Sequence, residues 1–244
     1  MIRNRHVEFE RLHNFRDLGG YRARDGRTVR WGCLYRADSL GKLRGEDWER
    51  FLALGVRTVI DLRYPWEIAA RGRVPESDGL AYHNLSIEHR PYDQAQLAPD
   101  TDTARFLADR YAEVAADGVR ELRRALEVIA EAGSAPVVMH CASGKDRTGL
   151  LAALVLALLE VEEETIVEDF ALTGLATERL LADWVATHPG RTPRWPGFAT
   201  APGEVMRLCL AELAAGHGSV RGYAVKKLGL DEAVVEALRE RYLV

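Results

Sequence analysis

The sequence predicts an α/β fold, with a central, mainly parallel sheet flanked by helices and a C-terminal half that is helical. Three observations carry this. Short β-rich stretches alternate with helical patterns in the first part of the chain, as strand-helix-strand units require. A buried strand, a tight loop and an apolar helix then follow one another between Pro136 and Leu159. After that, only helical periodicity continues to the C-terminus.

The first β-like stretch is Thr28 to Ala37 (TVRWGCLYRA). Gly45 to Leu54 then places Trp48, Phe51 and Leu52 on one helical face before Gly55, and Val56 to Leu62 (VRTVIDL) is the next strand. Leu80 to Ile87 reads as a third. Two amphipathic helices follow, Thr103 to Ala116 and Val119 to Ala132; in the second, Val119, Leu122, Leu126 and Ile129 share a face. Pro136 to His140 is a short strand and Arg147 to Leu159 an apolar helix. The remaining helices are Glu162 to Leu172, Thr177 to His188, Pro202 to Ala214, Ser219 to Leu228 and Asp231 to Leu243. Between two of them, His188 to Gly203 holds four of the nine prolines and is expected to be an exposed loop.

A chain of 244 residues with 47% hydrophobic and 29% charged residues suits one catalytic-size domain over residues 1–244, and excludes disordered and fibrous classes. Its net charge of −4 provides no global positive field, so no nucleic-acid partner is expected. The apolar run Gly149 to Leu159 falls well short of the ~20 residues needed to span a membrane. The N-terminal MIRNRHVEFE lacks the apolar segment of a secretory signal, and Cys33, Cys141 and Cys209 form no C-x-x-C pair. A reducing, cytoplasmic setting is the expectation.

The chemistry concentrates in Val137 to Gly149 (VVMHCASGKDRTG), where Cys141 and Arg147 flank five residues between a strand and a helix. A loop this short, entering a helix, can turn the N–H groups of Ala142, Ser143, Gly144, Lys145 and Asp146 inward as an anion cradle. Arg147 can fork onto phosphate oxygens. Such surroundings lower a cysteine pKa from about 8.5 into the range of roughly 3.5–7.5, which makes Cys141 a candidate nucleophile. Attack on a bound phosphoryl group gives a cysteinyl-phosphate that water hydrolyses, with no metal or cofactor required. Thr148 is placed to stabilise the departing thiolate, and His140 to brace the loop.

HCASGKDRTG resembles the active-site signature of the cysteine-based protein-tyrosine-phosphatase superfamily. NFRDLGGY (Asn14 to Tyr21), LYRADSL (Leu34 to Leu40), VIDLR (Val59 to Arg63) and the C-terminal HGSVRGYAVKKLGLDEAVVEALRERYLV are similar to a bacterial family of tyrosine and lipid phosphatases with mycobacterial and Listeria members. The resemblance implies phosphorylated protein substrates carrying phosphotyrosine, also phosphoserine or phosphothreonine, and alternatively phosphoinositides.

Competing readings are weaker. A nucleotide-binding P-loop needs glycine at Met139 and Ser or Thr at Asp146, and a sulfurtransferase leaves Arg147 and Thr148 unexplained. A non-catalytic phosphate-binding module would normally have lost the cysteine or the arginine, and both Cys141 and Arg147 are present. For the general acid, the chain has no W-P-D motif. Asp61, at the end of an apolar strand, and Asp146, within the loop, are the candidates; the alternative for Asp61 is an ion pair with Arg63 or Arg16, and for Asp146 an orienting contact to Arg147 or Lys145. Asp93 and Asp102 read as solvated. Lys145, one of only four lysines, is expected to offer a second cation to a multiply phosphorylated substrate. Arg16, Asp17 and Arg36 read as salt-bridging braces for the loop, and Cys33 and Cys209 as core.

Overall fold

A computed structural model describes residues 4–244. Its sheet has five strands: β1 (Arg16–Asp17), β2 (Leu34–Ala37), β3 (Thr58–Asp61), β4 (Ala81–Asn84) and β5 (Val137–His140). They lie in the order β1-β2-β5-β3-β4, with β1 antiparallel to β2 and the other pairs parallel. The mainly parallel sheet is therefore present, with an antiparallel edge.

Both faces are covered, because side chains alternate along each strand. Leu34, Ile60, Val137 and Met139 join the larger apolar cluster, whereas Tyr35, Val59 and Val138 join a smaller one with Phe9, Phe15 and Phe51. The smaller layer is built by the N-terminal segment and α1 (Glu46–Ala53). The larger one is built by α3 (Thr103–Asp117), α4 (Val119–Ala130), α5 (Asp146–Leu158), α6 (Glu163–Ala171), α8 (Gly203–His217) and α10 (Glu232–Tyr242), which follow α2 (Pro65–Arg71) and enclose α7 (Thr177–Thr187) and α9 (Val220–Gly222) in the chain order.

Helix α5 is apolar all round and correspondingly buried from Thr148 to Val155, which seats it at the centre of the larger layer. The N-terminus of this central helix therefore meets the carboxyl ends of β2, β5 and β3, where α/β sites assemble. Register brings Ala37, His140 and Asp61 side by side at that edge.

Two differences from expectation have local causes. The stretch Thr28 to Ala37 is a ladder strand only from Leu34; Thr28 and Val29 make isolated bridges to Arg22 and Leu243, with Gly32 at φ +75° turning the chain between them. The segment from His188 has no helix or strand until α8 begins at Gly203, as expected, but it is not uniformly exposed. Trp195 is buried, donates its indole N–H to the Thr101 carbonyl at 3.1 Å and packs edge-on against Phe106. No helix among the described residues is long and apolar enough to cross a membrane.

Candidate active site

The loop from Cys141 to Lys145 joins β5 to α5, and its carbonyls are held one after another by groups outside it. His140 Nδ1 lies 3.3 Å from the Cys141 carbonyl. Ser39 N–H donates to Ala142 at 3.1 Å, Asn14 Nδ2 to Ser143 at 2.9 Å and Arg36 to Gly144 at 2.7 Å. In a trans peptide the N–H points opposite to the preceding C=O. Tying the carbonyls of residues 141–144 outward thus turns the N–H groups of 142–145 inward. Among the described residues, no backbone N–H from Ala142 to Arg147 has an acceptor, so the loop presents a cradle of unpaired N–H groups at a helix N-terminus, a geometry suited to an anion.

Gly144 is required twice over. Its φ is +69°, and a Cβ there would lie 2.5 Å from the carbonyl oxygen of Ala37 at the end of β2. Only glycine lets the loop press this closely against the strand.

Behind the loop stands a buried charge network. Asp169 on α6 accepts from Arg16 at 3.1 Å and Arg36 at 2.7 Å, and Tyr21 donates to it at 2.9 Å. Burial works against its charge, yet the two guanidiniums hold its carboxyl well below the usual range. Burial and the neighbouring Arg16 lower Arg36 to about 10. Arg16 also donates to Asn14, which grips Ser143. Arg16 and Arg36 are loop braces, as their motifs suggested, and Asp169 is the residue that unites them. The Asp17 carboxylate accepts from the Gly19 and Gly32 backbone N–H groups, both at 2.7 Å, and shapes turns.

Cys141 is 1% exposed at the foot of the cradle. Arg147, in the first turn of α5, donates through NH1 and NH2 to Glu67 at 2.5 and 3.1 Å, and its Nε lies 3.7 Å from Glu88. Glu67 also caps α2 by accepting from Tyr64 N–H at 2.8 Å. One carboxylate thus fixes both the helix start and the guanidinium. Thr148 Oγ1 is buried beside the loop without a hydrogen-bond partner among the described residues.

The two aspartates divide sharply. Asp61 is fully buried and accepts from Arg63 Nε and NH2 at 2.9 and 2.7 Å and from Tyr82 at 2.9 Å, with His140 Nε2 at 3.4 Å. Burial opposes its charge, but His140 and the forked Arg63 hold its carboxyl at about 2. Burial pushes His140 down to about 4. An ionised carboxylate spent on an arginine has no proton to give, so the ion-pair alternative describes Asp61 and the expectation of an acid there is corrected. Asp146 faces the small cavity it shares with Arg147, Glu88, Tyr92 and Tyr111. Tyr111 donates to its Oδ1 at 2.8 Å, and Gln94 Nε2 lies 3.4 Å from Oδ2.

Lys145 is neither a solvated charge nor a projecting one. It is 1% exposed; its Nζ makes no hydrogen bond among the described residues and lies 3.4 Å from Asp146 Oδ1. Asp93 and Asp102 are exposed caps of the Gln94–Gln96 turn and of α3, and Asp93 also pairs with Arg191. Cys209 is core, and Cys33 is half-buried against it.

Glu67, Glu88, Tyr111 and Asp169 escape a motif-led reading. For Glu67 a signal existed: Tyr64-Pro65-Trp66-Glu67 has proline at the first helical position and glutamate at the third, a helix-start pattern. The others carry no local signal.

The site thus joins a buried cysteine, amide groups turned inward, an arginine at the helix start and a carboxylate paired with that arginine, at the edge of a mainly parallel α/β sheet. The chain belongs to the tyrosine phosphatase family, whose sequence model matches residues 7–244. A Cupriavidus necator protein bearing the name of a tyrosine-protein phosphatase is 30% identical over 99% of this chain and 90% of its own. A tyrosine-protein phosphatase of Nostoc commune is 28% identical over 86% and 74%. The triple specificity protein phosphatase PtpB of Mycobacterium tuberculosis is 29% identical over 69% of each chain.

Proposed function

We propose that residues 1–244 act as one catalytic unit that hydrolyses phosphate monoesters, phosphotyrosine in proteins above all, through a cysteinyl-phosphate on Cys141. The observation that carries this is the set of outward-tied carbonyls. An inward ring of N–H groups from Ala142, Ser143, Gly144, Lys145 and Asp146 suits the equatorial oxygens of a phosphoryl group, directly above a cysteine sulfur. Arg147 supplies the charge-assisted contact through the edge that Glu67 leaves open. Sulfur attacks phosphorus, the ester oxygen leaves with a proton, and water then cleaves the S–P bond. Thr148, buried and unpartnered, is poised to donate to the leaving thiolate. Of the two aspartates, Asp146 is the one at the cavity. None of these steps calls for a metal or cofactor.

The phosphoinositide alternative is supported less. It asks for a second cation at the mouth, and the inward-turned Lys145 is paired with Asp146, while the acids Glu67 and Glu88 line the approach. Phosphoserine and phosphothreonine remain within the same chemistry. A non-catalytic phosphate module would bind without turnover.

The test is Cys141→Ser. Turnover of p-nitrophenyl phosphate without added metal should vanish while calorimetric phosphate binding persists, because the amide ring and Arg147 are untouched. Activity within a few percent of wild type in a contamination-free sample would refute the nucleophile.

A further inference from the structure

Glu88 lies in the segment after β4 and belongs to no motif, yet its side chain, 12% exposed, sets its carboxylate between two arginines. Oε2 stands 3.7 Å from Arg147 Nε, and Oε1 stands 3.5 Å from Arg110 NH2 on α3. Both separations exceed the roughly 2.7–3.2 Å of a well-made N–H···O bond. Glu67, by contrast, grips the far end of Arg147 with both oxygens. A carboxylate shared loosely by two cations is a counter-ion to both and is fixed by neither.

The Arg147 edge that faces Glu88 is the one a phosphate needs. Glu67 takes one N–H from each terminal nitrogen, and the Leu62 carbonyl lies 3.5 Å from NH1. Nε and the second N–H of NH2 remain as the fork through which Arg147 reaches an oxyanion. Glu88 therefore stands where a phosphoryl oxygen would draw its charge-assisted bond, and two anions at one buried edge repel strongly. Arg110 offers the alternative. Its guanidinium lies over the Tyr92 ring at 4.5 Å and donates to Glu113 and to the Arg90 carbonyl, so its place is fixed. Its Nε is buried without a hydrogen-bond partner among the described residues, which leaves a donor to spare.

Resting on the phosphatase reading above, we propose that Glu88 is a built-in counter-anion that an incoming phosphoryl group displaces from Arg147 onto Arg110. Before phosphate arrives, the carboxylate neutralises the substrate-facing edge of Arg147. As phosphate enters, Glu88 completes its contact with Arg110 and yields that edge. Glu88 is thus a positioning residue. It lowers the apparent affinity for phosphate according to the fraction of time it occupies the edge, and so eases release of the inorganic phosphate left after the S–P bond is cleaved.

The experiment is calorimetric titration with inorganic phosphate of wild type, Glu88→Gln, Arg110→Met and the double variant, each checked for its melting temperature. Glu88→Gln should bind phosphate roughly tenfold more tightly, because the amide carries no competing charge. A side chain that merely braced Arg147 would give weaker binding on its loss. Arg110→Met should bind roughly tenfold more weakly while Glu88 is present and should change little in the Glu88→Gln background. Unchanged or weaker binding by Glu88→Gln would overturn the proposal, and that arm decides alone if Arg110→Met does not fold. Equal weakening by Arg110→Met in both backgrounds would make Arg110 a direct phosphate contact and overturn the transfer of Glu88 to it. The expected binding pattern in a protein inert toward phosphotyrosine and p-nitrophenyl phosphate would overturn the phosphatase reading and leave the role of Glu88 standing.

Discussion

Arg147 and Glu67 form a two-pronged ion pair, NH1 to Oε2 at 2.5 Å and NH2 to Oε1 at 3.1 Å, between the first turn of α5 and the first turn of α2. Residues 80 apart in sequence thereby set the rotation of the guanidinium that faces the cradle. Burial opposes the arginine's charge, and Glu67 more than restores it. Because one N–H on each terminal nitrogen is committed to Glu67, the plane in which Arg147 presents its other three N–H groups is decided before any ligand arrives.

Glu67→Ala should therefore leave Cys141 and the amide ring in place but let the guanidinium swing. A misplacement of about 1 Å at a reacting centre costs on the order of 10²-fold, and kcat/KM for p-nitrophenyl phosphate should fall by about that much. Glu67→Gln, which keeps one acceptor oxygen, should lose less. Steady-state kinetics with both variants check this; unchanged kcat/KM in Glu67→Ala would show that the cradle alone orients Arg147.

Asp61 should matter to stability and not to leaving-group chemistry. Its folded pKa of about 2 lies below the value of about 3.9 expected for the unfolded chain, so its stabilisation is fully present above pH 4 and is lost as pH falls toward 2. That difference is worth on the order of 2.6 kcal/mol. Asp61→Asn also leaves Arg63 buried without its partner, which typically costs about 3–5 kcal/mol. Urea unfolding of wild type and variant should show the widest gap near neutral pH and convergence on acidification below pH 4. Phosphotyrosine and p-nitrophenyl phosphate turnover should fall in parallel; a selective loss on phosphotyrosine would restore Asp61 as the acid.

Lys145→Ala should weaken turnover of phosphotyrosine and of a phosphoinositide alike. Its ammonium is enclosed with Asp146 inside the loop, so removing it disturbs the cradle common to every substrate. The loss should be on the order of ten- to a hundredfold in kcat/KM and the same for both substrates. Both esters should be measured at one ionic strength. A loss confined to the phosphoinositide would place the ammonium at the mouth and favour the lipid reading.

Much of this protein is written locally. The order of strands and helices follows from periodicity and turn residues, and the spacing of Cys141, Gly144 and Arg147 between an apolar strand and an apolar helix announces an anion cradle, because each of those demands is met within a dozen residues. The braces Arg16 and Arg36 were recognisable from the motifs around them. Only the tertiary structure decides which carboxylates serve the site. Asp61 stands at the sheet edge where chemistry gathers, yet Arg63, two residues on, folds back and neutralises it. Glu67 and Glu88 reach Arg147 from separate segments, and Asp169 joins two arginines across more than 130 residues of chain. A carboxylate's role depends on burial and on which charges lie within a few ångströms, and those distances are set by how remote segments pack, which no local pattern of residues records.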